Sequence, residues 1–162
     1  MKAFSAKRVS HESTQLNIAM PEIVFPLLCP VREADWVPGW KYRMIYSRSG
    51  VAELGCVFVT PEEDGSEITW VVTEYDPALF RIGFVWIHPA LVTAQINIAL
   101  SRQEPEHTLA SIRYTYTALS PIGNRIVEGY DKVWFEYKMK HWEAAINHYL
   151  RTGTLIEANS RE

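Results

Sequence analysis

Between residues 41 and 119 the chain alternates apolar and polar side chains through six successive runs, joined by short polar connections. A period of two belongs to β-strands with one dry and one wet face. The runs cover 41–47, 53–61, 67–75, 80–87, 92–101 and 108–119. Between them lie Ser49-Gly50, the polar loop 62–66, Asp76-Pro77, His88-Pro89 and the polar turn 103–106. Connections this short leave no room for a crossover helix, so the six strands form an antiparallel meander. The fifth run is the clearest: Val92, Ala94, Ile96, Ile98 and Leu100 share one side, and Thr93, Gln95 and Asn97 the other.

The flanks read differently. Residues 3–20 are mostly polar with weak alternation, which suits an added edge strand. Pro21 opens a short helical stretch over 22–29, Pro30 stops it, and a second helical turn is expected over 32–36, ended by Pro38-Gly39. Beyond Ser120-Pro121 the period becomes 3.6, and one continuous helix is expected from about residue 124 to 151. It would be roughly 35–40 Å long. Phe135, Met139, Trp142, Ile146, Tyr149 and Leu150 form its single apolar stripe, with Glu143, Asn147 and Arg151 off it. Gly153 stands where a left-handed terminator belongs.

A sheet of six to seven strands with one dry face needs a cover, and only the C-terminal helix is long enough. The expected fold is therefore α+β: a curved antiparallel sheet wrapped around a long C-terminal helix, with two short N-terminal helices closing one end. Bulky rings on both facing surfaces leave a gap between helix and sheet, where small-molecule sites lie. No repeat, linker or low-complexity tract divides the 162 residues, so one domain is expected over 1–162.

Charge narrows the partners. The net charge is −3, with no basic block or stripe, which argues against nucleic acid as a partner. The apolar runs are too short to insert into a membrane, and the N-terminus shows no apolar run of secretory type. Cys29 and Cys56 are the two cysteines and form no CxxC pair, as expected of reduced thiols in a cytoplasmic protein.

Several strings, in order, suggest a family. They are Phe25-Pro26-Leu27-Leu28-Cys29-Pro30, Trp36-Val37-Pro38-Gly39-Trp40, Gly55-Cys56-Val57-Phe58, Thr69-Trp70-Val71-Val72 and Tyr75-Asp76-Pro77. Tyr114-Thr115-Tyr116-Thr117-Ala118-Leu119, Trp142-Glu143 and Tyr149-Leu150-Arg151-Thr152-Gly153 follow. Over about residues 5–153 the chain resembles bacterial members of the SRPBCC superfamily, the START-like helix-grip proteins that include polyketide cyclase/dehydrase-related chains. That superfamily holds lipid carriers, plant hormone binders, cyclases and co-chaperone domains. The resemblance implies a helix-grip fold with a cavity and implies no particular reaction.

Strand parity turns Phe58, Trp70, Phe84, Trp86, Ile96, Ile98, Tyr114 and Tyr116 toward the helix. With Trp40 and the helix residue Trp134, all of these but Ile98 form the candidate ligand-binding set: flat apolar surfaces with hydroxyl and indole N–H groups to fix orientation. Plain core packing explains the same residues equally simply. Trp36 and Trp40 flank a rigid turn beside the expected cavity mouth, or merely pin that turn. Glu74 shares parity with Trp70 and Val72, and His88 with Trp86, so these two are the acid–base candidates, against the plainer reading of residues at a strand end in water. Arg113 is expected on the wet face. His141 and His148, about 10 Å apart along a helix, cannot share one ion, and the other histidines show no ligand spacing, so no metal or other cofactor is implied. No GxSxG or HExxH motif occurs.

The leading expectation is a protein that binds or carries a small apolar or amphipathic molecule, lipid-like or aromatic, between sheet and helix. The alternative is a cyclase/dehydrase- or hydrolase-type enzyme using cavity Tyr, Glu or His as acid and base. An interaction module with its interior packed shut is a third reading, and homodimerisation through an exposed strand face fits all three.

Overall fold

The computed structural model describes residues 3–157. Seven antiparallel strands form one sheet: β1 (Arg8–Asn17), β2 (Arg43–Tyr46), β3 (Val57–Pro61), β4 (Glu67–Asp76), β5 (Arg81–His88), β6 (Val92–Gln103) and β7 (His107–Ala118). Their order is β1-β7-β6-β5-β4-β3-β2. The last six strands make the expected meander. The weakly alternating N-terminal segment is the seventh strand, and it pairs with β7 along its whole length, from Arg8 opposite Thr117 to Asn17 opposite Thr108.

The N-terminal helical segments are short, each with proline in its first turn. They are α1 (Pro21–Val24), a 3₁₀ turn (Phe25–Leu28) and α2 (Pro30–Glu33). Val24, Leu27 and Leu28 are almost wholly buried, so these segments plug one end of the interior. The second helical turn starts two residues earlier than the 32–36 expected, because Pro30 occupies the first helical position where its missing N–H costs nothing.

The single long helix expected over 124–151 is two helices, α3 (Pro121–Gly129) and α4 (Lys132–Thr152). Gly129 is a weak helix former at the end of α3, and Tyr130 leaves the helical region at φ −84°, ψ 59°. The Asp131 side chain then accepts a hydrogen bond from the Trp134 backbone N–H at 2.8 Å and starts α4 afresh. At 21 residues α4 is roughly 31 Å long, somewhat shorter than the uninterrupted estimate. Ser120 both ends β7 and caps α3, its Oγ accepting from the Gly123 N–H at 3.0 Å. Gly123 permits a close approach: a Cβ there would stand 1.9 Å from the Leu91 carbonyl oxygen. Gly153 closes α4 at φ 69°, as its position predicts.

The apolar stripe of α4 faces the sheet, with Phe135, Met139 and Ile146 buried. Two polar residues beside it clamp the helix to the chain leaving β1. Glu143 accepts from the Leu16 N–H at 2.9 Å. Asn147 accepts from the Ile18 N–H at 3.2 Å and donates to the Leu16 carbonyl at 2.9 Å. Trp36 lies fully buried, its indole N–H donating to the Leu27 carbonyl at 2.8 Å and its ring edge-on to Trp142. Both cysteines are free and buried.

Candidate functional site

Ladder register builds the site from inward positions on β3 to β7. Phe58 lies opposite Trp70, Trp70 opposite Trp86, Val72 opposite Phe84, Phe84 opposite Ile96, and Ile96 opposite Tyr114. Inward positions on neighbouring strands therefore meet, and rings form a continuous band. Phe58 and Trp70 stack at 5.4 Å, and Phe84 meets Trp70 edge-on at 6.0 Å. Trp40, on the connection between α2 and β2, closes over them at 6.3–6.4 Å.

Between this band and α4 lies a cavity of about 220 Å³. Of the sequence candidates, Trp40, Phe58, Trp70, Phe84, Ile96 and Tyr114 line it. The other three do not. Trp86 faces a wider surface depression of about 530 Å³ that shares Val37, Trp40, Trp70 and Lys138 with the cavity and so forms its mouth. Tyr116 is fully buried behind the wall. Trp134, in the first turn of α4, stacks on Tyr130 at 4.2 Å and meets Tyr116 edge-on. Indole N–H groups expected to orient a ligand are already engaged: Trp40 donates to the Pro30 carbonyl and Trp70 to the Thr60 hydroxyl. These rings offer faces only.

Both acid–base candidates lie elsewhere. A β-bulge falls between Val72 and Glu74, so the parity that turns Trp70 and Val72 inward does not carry to Glu74. Glu74 is exposed on the outer face, in a groove with Glu12, Arg81 and Arg113. Arg113 pairs there with Glu12 at 3.5 Å, on the wet face as expected. His88 contacts the Ser66 hydroxyl at 2.9 Å on the loop between β3 and β4 and is not part of the cavity wall.

The cavity's ionisable groups are Glu33, Lys138 and Tyr114. Glu33 ends α2, and its carboxyl is raised to about 8 by burial. By accessible area Glu33 is half-buried, and it lines the cavity. Burial lowers the Lys138 ammonium to about 8. Among the described residues, neither makes an ion pair. The Lys138 Nζ lies 4.7 Å from the Tyr114 ring centre and 5.3 Å from that of Trp134, and donates a long 3.5 Å hydrogen bond to the Tyr116 hydroxyl. Tyr114 and Tyr116 are both pushed above the usual phenol range by burial, Tyr114 also by the neighbouring Glu33.

Sequence reasoning missed Glu33 and Lys138. Lys138 carries a signal: it stands three residues after Phe135 and four before Trp142, so a charge interrupts the apolar face of α4. Glu33 carries none, because a one-turn helix has no periodicity from which to read a buried side.

Solved structures share this architecture. Norcoclaurine synthase from Thalictrum flavum, a point mutant with a transition-state analogue, matches with TM-score 0.66 at 15% identity, over 92% of this chain and 98% of that one. The same protein is also solved with dopamine and hydroxybenzaldehyde, at 17% identity, TM-score 0.61 and 91% and 87% coverage. Ara h 8.0201 matches at TM-score 0.61 and 14% identity, over 91% and 99% of the two chains. BexL, a di-domain ARO/CYC protein of the BE-7585A biosynthetic pathway, matches at TM-score 0.65 and 14% identity over 88% of this chain, which spans 46% of BexL. No protein-family model and no curated protein matches the sequence. The likenesses show the fold: it is the START/Bet v1-like helix-grip arrangement. No helix among the described residues is long and apolar enough to cross a membrane.

Proposed function

We propose that this helix-grip protein binds a small, flat, largely apolar molecule of one or two rings between its sheet and α4. The observation that carries the reading is the ring-walled cavity of about 220 Å³ and the mouth beside it. An apolar cavity of about 150 Å³ is enough to hold benzene, so this one suits a substituted ring or two fused rings. It is small for a long lipid chain. Dopamine and hydroxybenzaldehyde, carried by the norcoclaurine synthase neighbour, are of that size. Titrating the protein with 2-naphthalenemethanol should quench tryptophan fluorescence saturably, since Trp40, Trp70 and Trp142 line the space. A flat titration across a panel of one- and two-ring probes would remove the reading.

A second reading is supported by Glu33 and Lys138, which both titrate near neutrality inside one cavity. Such groups serve as general acid and base. In this reading Glu33 gives a proton to a bound carbonyl oxygen while the neutral Lys138 amine removes one from the adjacent carbon. Deuterium uptake at the α-carbon of phenylacetone in D₂O would then be faster with the protein than with its Glu33→Gln variant. Equal rates sink this reading and leave the binding reading in place.

A further inference from the structure

Lys138 is the lone cation of the cavity wall, half-buried between the cavity and the surface depressions beside it, with three N–H donors and one long hydrogen bond. Rings of Tyr114, Tyr116 and Trp134 surround its ammonium at 4.7–6.0 Å. Ring faces attract a cation but cannot accept its N–H bonds as an oxygen does. A half-buried ammonium among rings is poorly solvated without an anion, and a charge-assisted hydrogen bond to an oxygen anion relieves that cost. Rings and charge thus meet in one small space, where a flat molecule carrying one anionic group satisfies both.

Resting on the binding reading above, we propose that the cavity takes an aromatic carboxylic acid as its anion, with the carboxylate against Lys138 and the ring among Trp40, Phe58 and Trp70. A cationic ligand would set a second positive charge beside Lys138, and a neutral one would leave the ammonium without a counter-charge. The groups facing Lys138 agree with this choice. From β7 come Tyr114 and Tyr116, whose phenols burial keeps protonated, and from α2 comes Glu33. Glu33 stays a neutral donor below about pH 8, so it adds a hydrogen bond and no repulsion. Along α4, His141 shares the neighbouring surface depression with Lys138. Glu62 and Glu63 rim the mouth but are exposed to water, where salt screens them. Raising the pH through 8 ionises Glu33 and discharges Lys138, and both changes expel an anion.

The test compares 2-naphthoic acid with 2-naphthalenemethanol by calorimetry and tryptophan quenching at pH 7. The acid is expected to bind about tenfold or more tighter than the alcohol. In Lys138→Met that preference should disappear, the alcohol still binding saturably, and in the unaltered protein the acid's affinity should fall between pH 7 and 9.5. Alcohol binding equal to acid binding, or an acid affinity unchanged in Lys138→Met, overturns the proposal and leaves the cavity reading intact. If neither compound binds, the cavity reading fails and this inference goes with it. Saturable alcohol binding by the variant shows that it is folded, so a lost acid preference is then a specific result.

Discussion

The two ends of the sheet's inner face are filled in opposite ways. At one end α1 packs on β6 and β7, and the filling is mostly aliphatic: Val24, Leu27, Leu28, Leu100 and Ile112 are each 5% exposed or less, with Phe25 set against Tyr75 and Phe80 beside them. At the other, Trp40, Phe58, Trp70, Tyr114 and Trp142 enclose open space together with Glu33 and Lys138. Branched aliphatic chains interdigitate and reach close packing. Rigid rings held edge to face by their strands cannot, and a void survives between them. The aliphatic end keeps a depression of about 200 Å³ beside Phe25, Leu28 and Tyr75, and the titratable pair Glu33 and Lys138 lies at the ring-walled end.

The largest effect should come from the packed end. Leu100→Ala is expected to cost about 2–5 kcal/mol in urea unfolding, because Leu100 is buried and its truncation leaves a cavity in the core. A cost near zero would erase the contrast between the ends. Next, Lys138→Met should stabilise the protein by about 1–3 kcal/mol at pH 7, with solvent in the mouth trimming the full shift. The sign follows from an ammonium lowered from 10.5 to about 8: the penalty is complete below 8, fades as pH rises, and vanishes above 10.5. The gain from Lys138→Met should therefore shrink over that window in thermal melts. Glu33→Gln acts in the opposite window. Its carboxyl is raised from 4.5 to about 8, so folding loses stability as pH climbs from 4.5 to 8. The substitution should flatten that slope and gain roughly 1–2 kcal/mol at pH 8, the buried amide offsetting part of the benefit. Smallest is Tyr114→Phe. Among the described residues the Tyr114 side chain makes no hydrogen bond, so its removal should change stability by less than about 0.5 kcal/mol while weakening ligands that use the hydroxyl.

The sheet was legible in the sequence because alternation reports a wet and a dry face directly, and Phe58, Trp70, Phe84, Ile96 and Tyr114 follow from parity alone. Parity fails at Glu74, where one extra residue in β4 reverses the face, and no turn residue marks that bulge. The helix break at Gly129 was visible as an isolated glycine, yet its consequence depends on Asp131 supplying a new cap. Lys138 was marked by a charge within an apolar face. Glu33 is placed by how α2 docks, which is a tertiary fact with no local trace.

The pairing of β1 with β7 has a consequence for how the protein is made. Arg8 and Thr117 are 109 residues apart, so β1, made before the rest of the sheet, waits for β7 before it finds its neighbour. Until then the nascent chain carries an unattached strand, and β7 emerges with a bare edge that invites foreign pairing. The Glu143 and Asn147 clamps to Leu16 and Ile18 form later still, and they lock that late arrival in place.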